Sequence, residues 1–218
     1  MNHKNMLNLV DHTALGAVTE WSDIEQLCSE AIQYNTASVC IPPSYVKRVS
    51  EKYGNKLAVC TVIGFPLGYS TKETKIFEAV EAVKNGATEI DMVINLGDVK
   101  NKDFCLVTEE IKSIKEAVGS NILKVIVETC YLSEEEKIRL CECVTEAGAD
   151  FIKTSTGFGT SGAQLADIEL FKKHTGKNVR IKAAGGIRTK EQFEAFAAAG
   201  VHRIGASAAV KLYNHDNL

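Results

Sequence analysis

Eight short β-rich runs, each followed by a helix-like amphipathic segment, constrain this 218-residue chain more than any other feature. The runs cover residues 9–13, 37–41, 57–64, 89–95, 123–129, 151–157, 180–186 and 203–207. A strand, a helix and a further strand in the same sheet make a parallel, right-handed crossover. Repeated eight times without a linker, that unit favours a closed parallel α/β barrel over an open sheet. Helix starts are marked by capping-box patterns, Ser22 with Glu25, Ser133 with Glu136 and Thr189 with Gln192. Gly86, Gly148 and Gly200 stand where left-handed residues stop helices. Low-complexity and Pro-rich stretches are absent, so one domain over residues 1–218 is expected.

Composition narrows the function. A net charge of −3 with scattered Lys and Arg lacks the electrostatic footprint of a nucleic-acid binder. No apolar run approaches the roughly 18 residues of a membrane span, and the first ten residues break their apolar positions with Asn and Lys, so no signal peptide is expected. The seven cysteines follow no disulfide spacing, and Cys28, Cys40, Cys60, Cys105 and Cys130 read as small buried hydrophobes in a reducing compartment, so a cytoplasmic location is expected. Cys141 and Cys143 are two apart in a helical stretch and point to different sides, which argues against a metal pair.

Two lysines carry the chemistry. Lys153 and Lys182 lie 29 positions apart, each inside an apolar run that ends in glycine. Lysine is rarely buried without a reason, and on neighbouring strands these two amines approach each other. A lysine attacks a carbonyl only as the free amine, about one in 2,500 molecules at pH 7 for a pKa near 10.4. A second ammonium about 5 Å away repels by roughly 3 kcal/mol at an effective dielectric near 20, which lowers that pKa. Polar residues late in the other runs converge on the same end of the barrel, where such folds place their active sites. These are Asp11 and Thr13 in the first run, Asp91 and Asn95 in the fourth, and Glu128 in the fifth.

A phosphate site is expected from the loops after the seventh and eighth strands. Gly185 and Gly186 let backbone N–H groups reach an anion, Ser207 adds a hydroxyl before a helical segment, and Arg188 adds a fork of donors. Gly157, Gly159 and Gly162 match the G-x-G-x-x-G dinucleotide pattern. That reading also needs an acidic residue at the end of the next strand. Arg180, Lys182 and Ala184 stand there instead, so Gly157 and Gly159 read as backbone positions beside a substrate.

Taken together, Lys153-Thr-Ser-Thr-Gly-Phe, Lys182-Ala-Ala-Gly-Gly-Ile-Arg-Thr, Glu89-Ile-Asp-Met-Val-Ile-Asn and Asp11-His-Thr closely resemble the bacterial deoxyribose-phosphate aldolases, a class I Schiff-base family. The resemblance runs nearly end to end. It implies a TIM (β/α)8 barrel, no metal or other cofactor, and reversible cleavage of 2-deoxy-D-ribose 5-phosphate to D-glyceraldehyde 3-phosphate and acetaldehyde, in deoxyribonucleoside breakdown. By position it implies Lys153 as the Schiff-base lysine, Lys182 as the neighbour that depresses its pKa, and Asp91 as the acid/base working through a water. Asp11, Thr13, Cys40, Thr156, Gly157, Gly185, Gly186, Arg188 and Ser207 match substrate-side positions. Two departures stand out. Ala208 replaces a second serine, and Tyr213, five residues short of the end, stands in for a tyrosine that closes over the site in some members. The tail from residue 212 is polar and expected to be mobile. Barrels of this kind often pair as homodimers. The rivals are a Schiff-base aldolase acting on a 2-keto-3-deoxy sugar-acid phosphate and a catalytically silent sugar-phosphate binder.

Overall fold

The computed structural model describes residues 6–214, in which eight parallel strands close into a barrel in strict sequence order. The strands are β1 Val10–Thr13, β2 Ser38–Ile41, β3 Val59–Ile63, β4 Glu89–Val93, β5 Ile122–Ile126, β6 Phe151–Lys153, β7 Arg180–Ala184 and β8 Arg203–Ala206. Nine α-helices belong to the described residues: α1 Trp21–Tyr34, α2 Val46–Tyr53, α3 Lys72–Lys84, α4 Leu96–Lys100, α5 Phe104–Val118, α6 Glu134–Glu146, α7 Leu165–His174, α8 Lys190–Ala198 and α9 Ala209–Asn214. This is the TIM architecture that the strand–helix alternation predicts.

Local signals explain most boundaries. Ser133 and Thr189 cap α6 and α8 in capping boxes with Glu136 and Gln192. Gly86, Gly148 and Gly200 take positive φ just past α3, α6 and α8. The first helix departs from expectation. It starts at Trp21, with the Asp23 carboxylate accepting from the Glu20 N–H at 2.8 Å, so Ser22 lies inside the helix. Stacking of Trp21 under the Arg48 guanidinium, 3.6 Å from the ring centroid, ties this first turn to α2.

Strand alternation sorts the side chains into two very different layers. Val39, Val59, Ile90, Leu123, Ile152, Ile181 and Ile204 face the helices and join one continuous apolar cluster there. Fully burying such a side chain is worth about 1.5–3 kcal/mol. The alternate positions point into the barrel, where Asp11, Glu89, Asp91, Lys124, Lys153 and Lys182 are all buried. The apolar core of this fold therefore lies between sheet and helices, while the barrel centre is largely ionic. Towards its N-terminal end the centre holds Phe151, against which the Arg180 and Arg203 guanidinium groups lie 4.1 and 5.7 Å from the ring centroid.

Candidate active site

Lys153 and Lys182 are register partners on β6 and β7. Their ammonium groups meet on one carboxylate oxygen: Asp91 Oδ2 accepts from Lys153 Nζ at 2.7 Å and from Lys182 Nζ at 2.8 Å. The two nitrogens thus lie within about 5.5 Å of each other. The other oxygen, Asp91 Oδ1, accepts from Lys124 Nζ at 2.9 Å and from the Cys60 thiol at 3.1 Å. Lys182 also donates to Asp11 Oδ2 at 2.5 Å. These contacts span the barrel from β1 to β7.

A third buried lysine went unread in the sequence. Lys124 on β5 reaches Glu89 Oε2 at 2.6 Å and Asp11 Oδ2 at 3.4 Å, besides Asp91. Its signal, a lysine inside the apolar run Leu-Lys-Val-Ile, is the one that singled out Lys153 and Lys182. Glu89 and Arg203 complete the network, with Arg203 Nη2 3.1 Å from Glu89 Oε1 and its Nε 3.5 Å from Asp11 Oδ1.

Burial opposes the charge on Asp91, yet Lys124, Lys153 and Lys182 hold its carboxyl well below the usual range. Asp11 is likewise held low, against burial, by Lys124, Lys182 and Arg203. Burial also penalises the Lys182 ammonium, but Asp11 and Asp91 outweigh it and raise its pKa above the ordinary lysine value. Lys182 therefore stays a cation at neutral pH.

Of this network only Lys153 lines the cavity at the mouth of the barrel among the described residues. The cavity, of about 360 Å³, opens at the C-terminal ends of β6, β7, β8 and β1. Thr13, Thr156, Gly157, Gly185, Gly186, Arg188 and Ser207 line it with Lys153. Thr13 donates its hydroxyl to the Asp11 carbonyl at 2.7 Å. Asp11, Asp91 and Lys182 lie beneath the floor, fully buried. Cys40 is also fully buried, beneath Leu15 and Phe65. The lining ends at Ser207, so Ala208 adds no group to it.

The glycines of the rim have distinct reasons. Gly157, Gly185 and Gly186 take φ of 90°, 84° and 73°, a region that side chains disfavour. Gly162 is needed for close approach, since a Cβ there would lie 2.0 Å from the Gly185 carbonyl oxygen. In the G-x-G-x-x-G pattern Gly157 and Gly162 pack against Gly185 in the loop after β7, while Gly159, which does not line the cavity, packs against Cys130 and Glu128 after β5. Glu128, itself left-handed at φ 55°, clasps the first of these loops: its carboxylate accepts from the Thr156 N–H at 3.2 Å and from the Thr156 hydroxyl.

Other sequence expectations resolve differently. Asn95 turns away from the site and caps α4, its Oδ1 accepting from Gly97 N–H at 3.0 Å. Tyr213 does not close over the cavity; it is buried in the outer layer, edge-on to Phe193 with ring centroids 6.0 Å apart. An amphipathic last helix needs that ring in the core. Residues 215–218 of the expected mobile tail lie outside the described residues. Burial pushes the Cys141 thiol up to about 12, and neither Cys141 nor Cys143 joins a metal-competent cluster among the described residues.

Comparison with known proteins places this geometry in a family. The family model described as DeoC/LacD family aldolase matches residues 5–214. A deoxyribose-phosphate aldolase of Clostridium botulinum (strain Alaska E43 / Type E3) is 60% identical over 212 residues, covering 97% of this chain and 96% of that protein. That of Clostridioides difficile (strain 630) is 57% identical over 214 residues, 98% of each chain. Among solved structures, the tetrameric deoxyribose phosphate aldolase from Aeropyrum pernix superposes with a TM-score of 0.89 at 29% identity, covering 99% of this chain and 92% of that one.

Proposed function

The chain belongs to the DeoC/LacD aldolase family, and on that premise we propose that it reversibly cleaves 2-deoxy-D-ribose 5-phosphate to D-glyceraldehyde 3-phosphate and acetaldehyde through a lysine Schiff base. The observation that carries the reading is a single lysine amine at the floor of a cavity, held against a carboxylate that also binds a permanent cation. Residues 1–218 act as one catalytic domain in this reading, since all eight strands share one barrel.

In the cleavage direction the Lys153 amine adds to C1 of the open-chain sugar and loses water to give an iminium. Lys182, cationic beside it, shares the Asp91 carboxylate with Lys153 and holds that carboxylate in place. Asp91 has no cavity surface and acts through a water, taking the C3 hydroxyl proton as the C2–C3 electrons flow into the iminium. Glyceraldehyde 3-phosphate leaves, the enamine is protonated at carbon, and water releases acetaldehyde. The phosphate lies at the far end of the cavity, against Gly185, Gly186, Arg188 and Ser207. Its binding energy positions the bond that breaks. Asp11 supports Lys182 from below, and Thr13 and Thr156 border the sugar. Cys40 lies behind the pocket wall.

A neutral aldehyde at the reacting end suits this site better than a keto acid, because the cations beside Lys153 are already engaged by Asp11, Asp91 and Glu89. A homodimer in the cytoplasm belongs to the same proposal. Free, mostly buried cysteines support the cytoplasmic part, and the dimer rests on the resemblance to barrels of this kind.

The test is borohydride trapping with 2-deoxyribose 5-phosphate followed by peptide mass spectrometry. A two-carbon adduct on Lys153 is expected. An adduct on Lys124 or Lys182, or none on a folded protein, overturns the assignment.

A further inference from the structure

We propose that Cys40, Cys60 and Asp91 form a site for a thiophilic divalent cation of the Zn²⁺ class, and that its occupation switches the aldol reaction off. The inhibition rests on the reading of Asp91 as acid/base; the site itself does not.

Cys40 and Cys60 are register partners on β2 and β3, and both are fully buried. One donor atom from each of Cys40, Cys60 and Asp91 lies within 4.8 Å of the other two, and Cys60 Sγ is 3.1 Å from Asp91 Oδ1. Tetrahedral Zn²⁺ with bonds of about 2.3 Å to sulfur and 2.0–2.2 Å to oxygen needs donor separations of about 3.5–3.8 Å. Shifts of about an ångström reach that arrangement. Two sulfurs and one oxygen select Zn²⁺ or Cd²⁺ over Mg²⁺ or Ca²⁺. Three protein ligands leave a fourth position for water. The other cluster of this kind among the described residues, Asp11, Cys60 and Glu89, offers a single sulfur and so suits a thiophilic ion less well.

Charge balance favours the site. A divalent cation set among Lys124, Lys153 and Lys182 would be repelled unless negative charge arrived with it. Binding to two thiols releases two protons, so the network keeps the same net charge before and after. No oxidant or reductant is required. Leu15 and Phe65 cover the thiols, and Leu15 also lines both mouth cavities, of about 360 and about 350 Å³. Displacement of Leu15 opens a route in. Once bound, the metal takes Asp91 Oδ1 from Lys124 and fixes the carboxylate, which then no longer exchanges a proton with the reacting sugar.

The experiment uses reduced, chelator-treated full-length protein, with Co²⁺ as spectroscopic probe and Zn²⁺ as inhibitor. One equivalent of Co²⁺ should give a thiolate-to-cobalt charge-transfer band, and X-ray absorption of the Zn²⁺-loaded protein should show two sulfur ligands at about 2.3 Å. One equivalent of Zn²⁺ should stop acetaldehyde release, with recovery on adding EDTA. Cys60→Val should remove the band and raise the half-inhibiting Zn²⁺ concentration, relative to that variant's own uninhibited rate, by at least about a hundredfold. A nitrogen and oxygen shell in the wild-type protein, a band that survives in Cys60→Val, or recovery with dithiothreitol but not EDTA would each overturn the proposal. The cobalt band and absorption spectra read the site even if the chain fails to cleave deoxyribose phosphate, so the two readings fail separately.

Discussion

Lys153, Lys182 and Lys124 are chemically identical residues given different work by their surroundings. Lys153 alone reaches the cavity; Lys182 and Lys124 are fully buried among carboxylates. Lys153→Ala should abolish turnover without unfolding the barrel, because Asp91 keeps Lys124 and Lys182 as partners. Acetaldehyde release and near-UV circular dichroism check the two halves of that statement. Lys182→Leu should also remove nearly all turnover. It strips a close cation from buried Asp11 as well, so a stability loss of about 3–5 kcal/mol by denaturant titration is expected. Lys124→Met is expected to lower kcat about 10–100-fold while leaving KM nearly unchanged, because Lys124 orients Asp91 and has no cavity surface. A rise in KM with kcat intact would contradict that role.

At the scale of elements, the loops after β6 and β7 form one unit. Gly162 packs on the Gly185 carbonyl, Ala163 N–H donates to the Gly185 carbonyl at 3.1 Å, and Glu128 holds Thr156 from β5. A methyl group at residue 162 must push the two loops apart. Gly162→Ala is therefore expected to raise KM for deoxyribose 5-phosphate about tenfold to a hundredfold. Borohydride trapping of acetaldehyde alone on Lys153 should persist. Loss of trapping in that variant would mean that the loops shape the amine site and not only the phosphate end. The caps behave locally: Ser133→Ala should cost about 1 kcal/mol, read as a shift in the denaturant midpoint.

The whole molecule puts its apolar core outside the barrel and its charges within it, so stability must depend on pH through the network. Asp11 and Asp91 have folded pKa values below their unfolded ones. Their contribution is present above the unfolded value near 3.9 and is lost as pH falls towards the lower folded values. Lys124 and Lys182 have raised folded pKa values, so their contribution is present below about 10.4 and is lost as pH rises past it. Thermal melts are expected to be nearly flat between about pH 5 and 9, to fall below about pH 4, and to fall again in strong alkali. A melting temperature that climbs below pH 4 would contradict the charged network.

The sequence by itself determined the strand order, the closed barrel and two of the three interior lysines, because period-2 alternation and capping chemistry are local signals that survive without neighbours. Ser133, Thr189 and the helix-ending glycines are legible for the same reason. It also placed Asp91 and the rim glycines on the correct face. Only tertiary structure decided who meets whom. Asp91, Lys124, Lys153 and Lys182 come from four strands, and no spacing along the chain says that their charged ends meet at two oxygens of one carboxylate. Asn95 shares the parity of Asp91 yet serves as a helix cap, since a side chain past the end of a strand is free to satisfy the next helix. Tyr213 is drawn into the outer layer by Phe193. Gly162 has no assigned role once the missing acidic residue sets the nucleotide motif aside, and only its contact with the loop after β7 supplies one. Each of these was settled by contacts between residues distant in sequence, which close only when the barrel does.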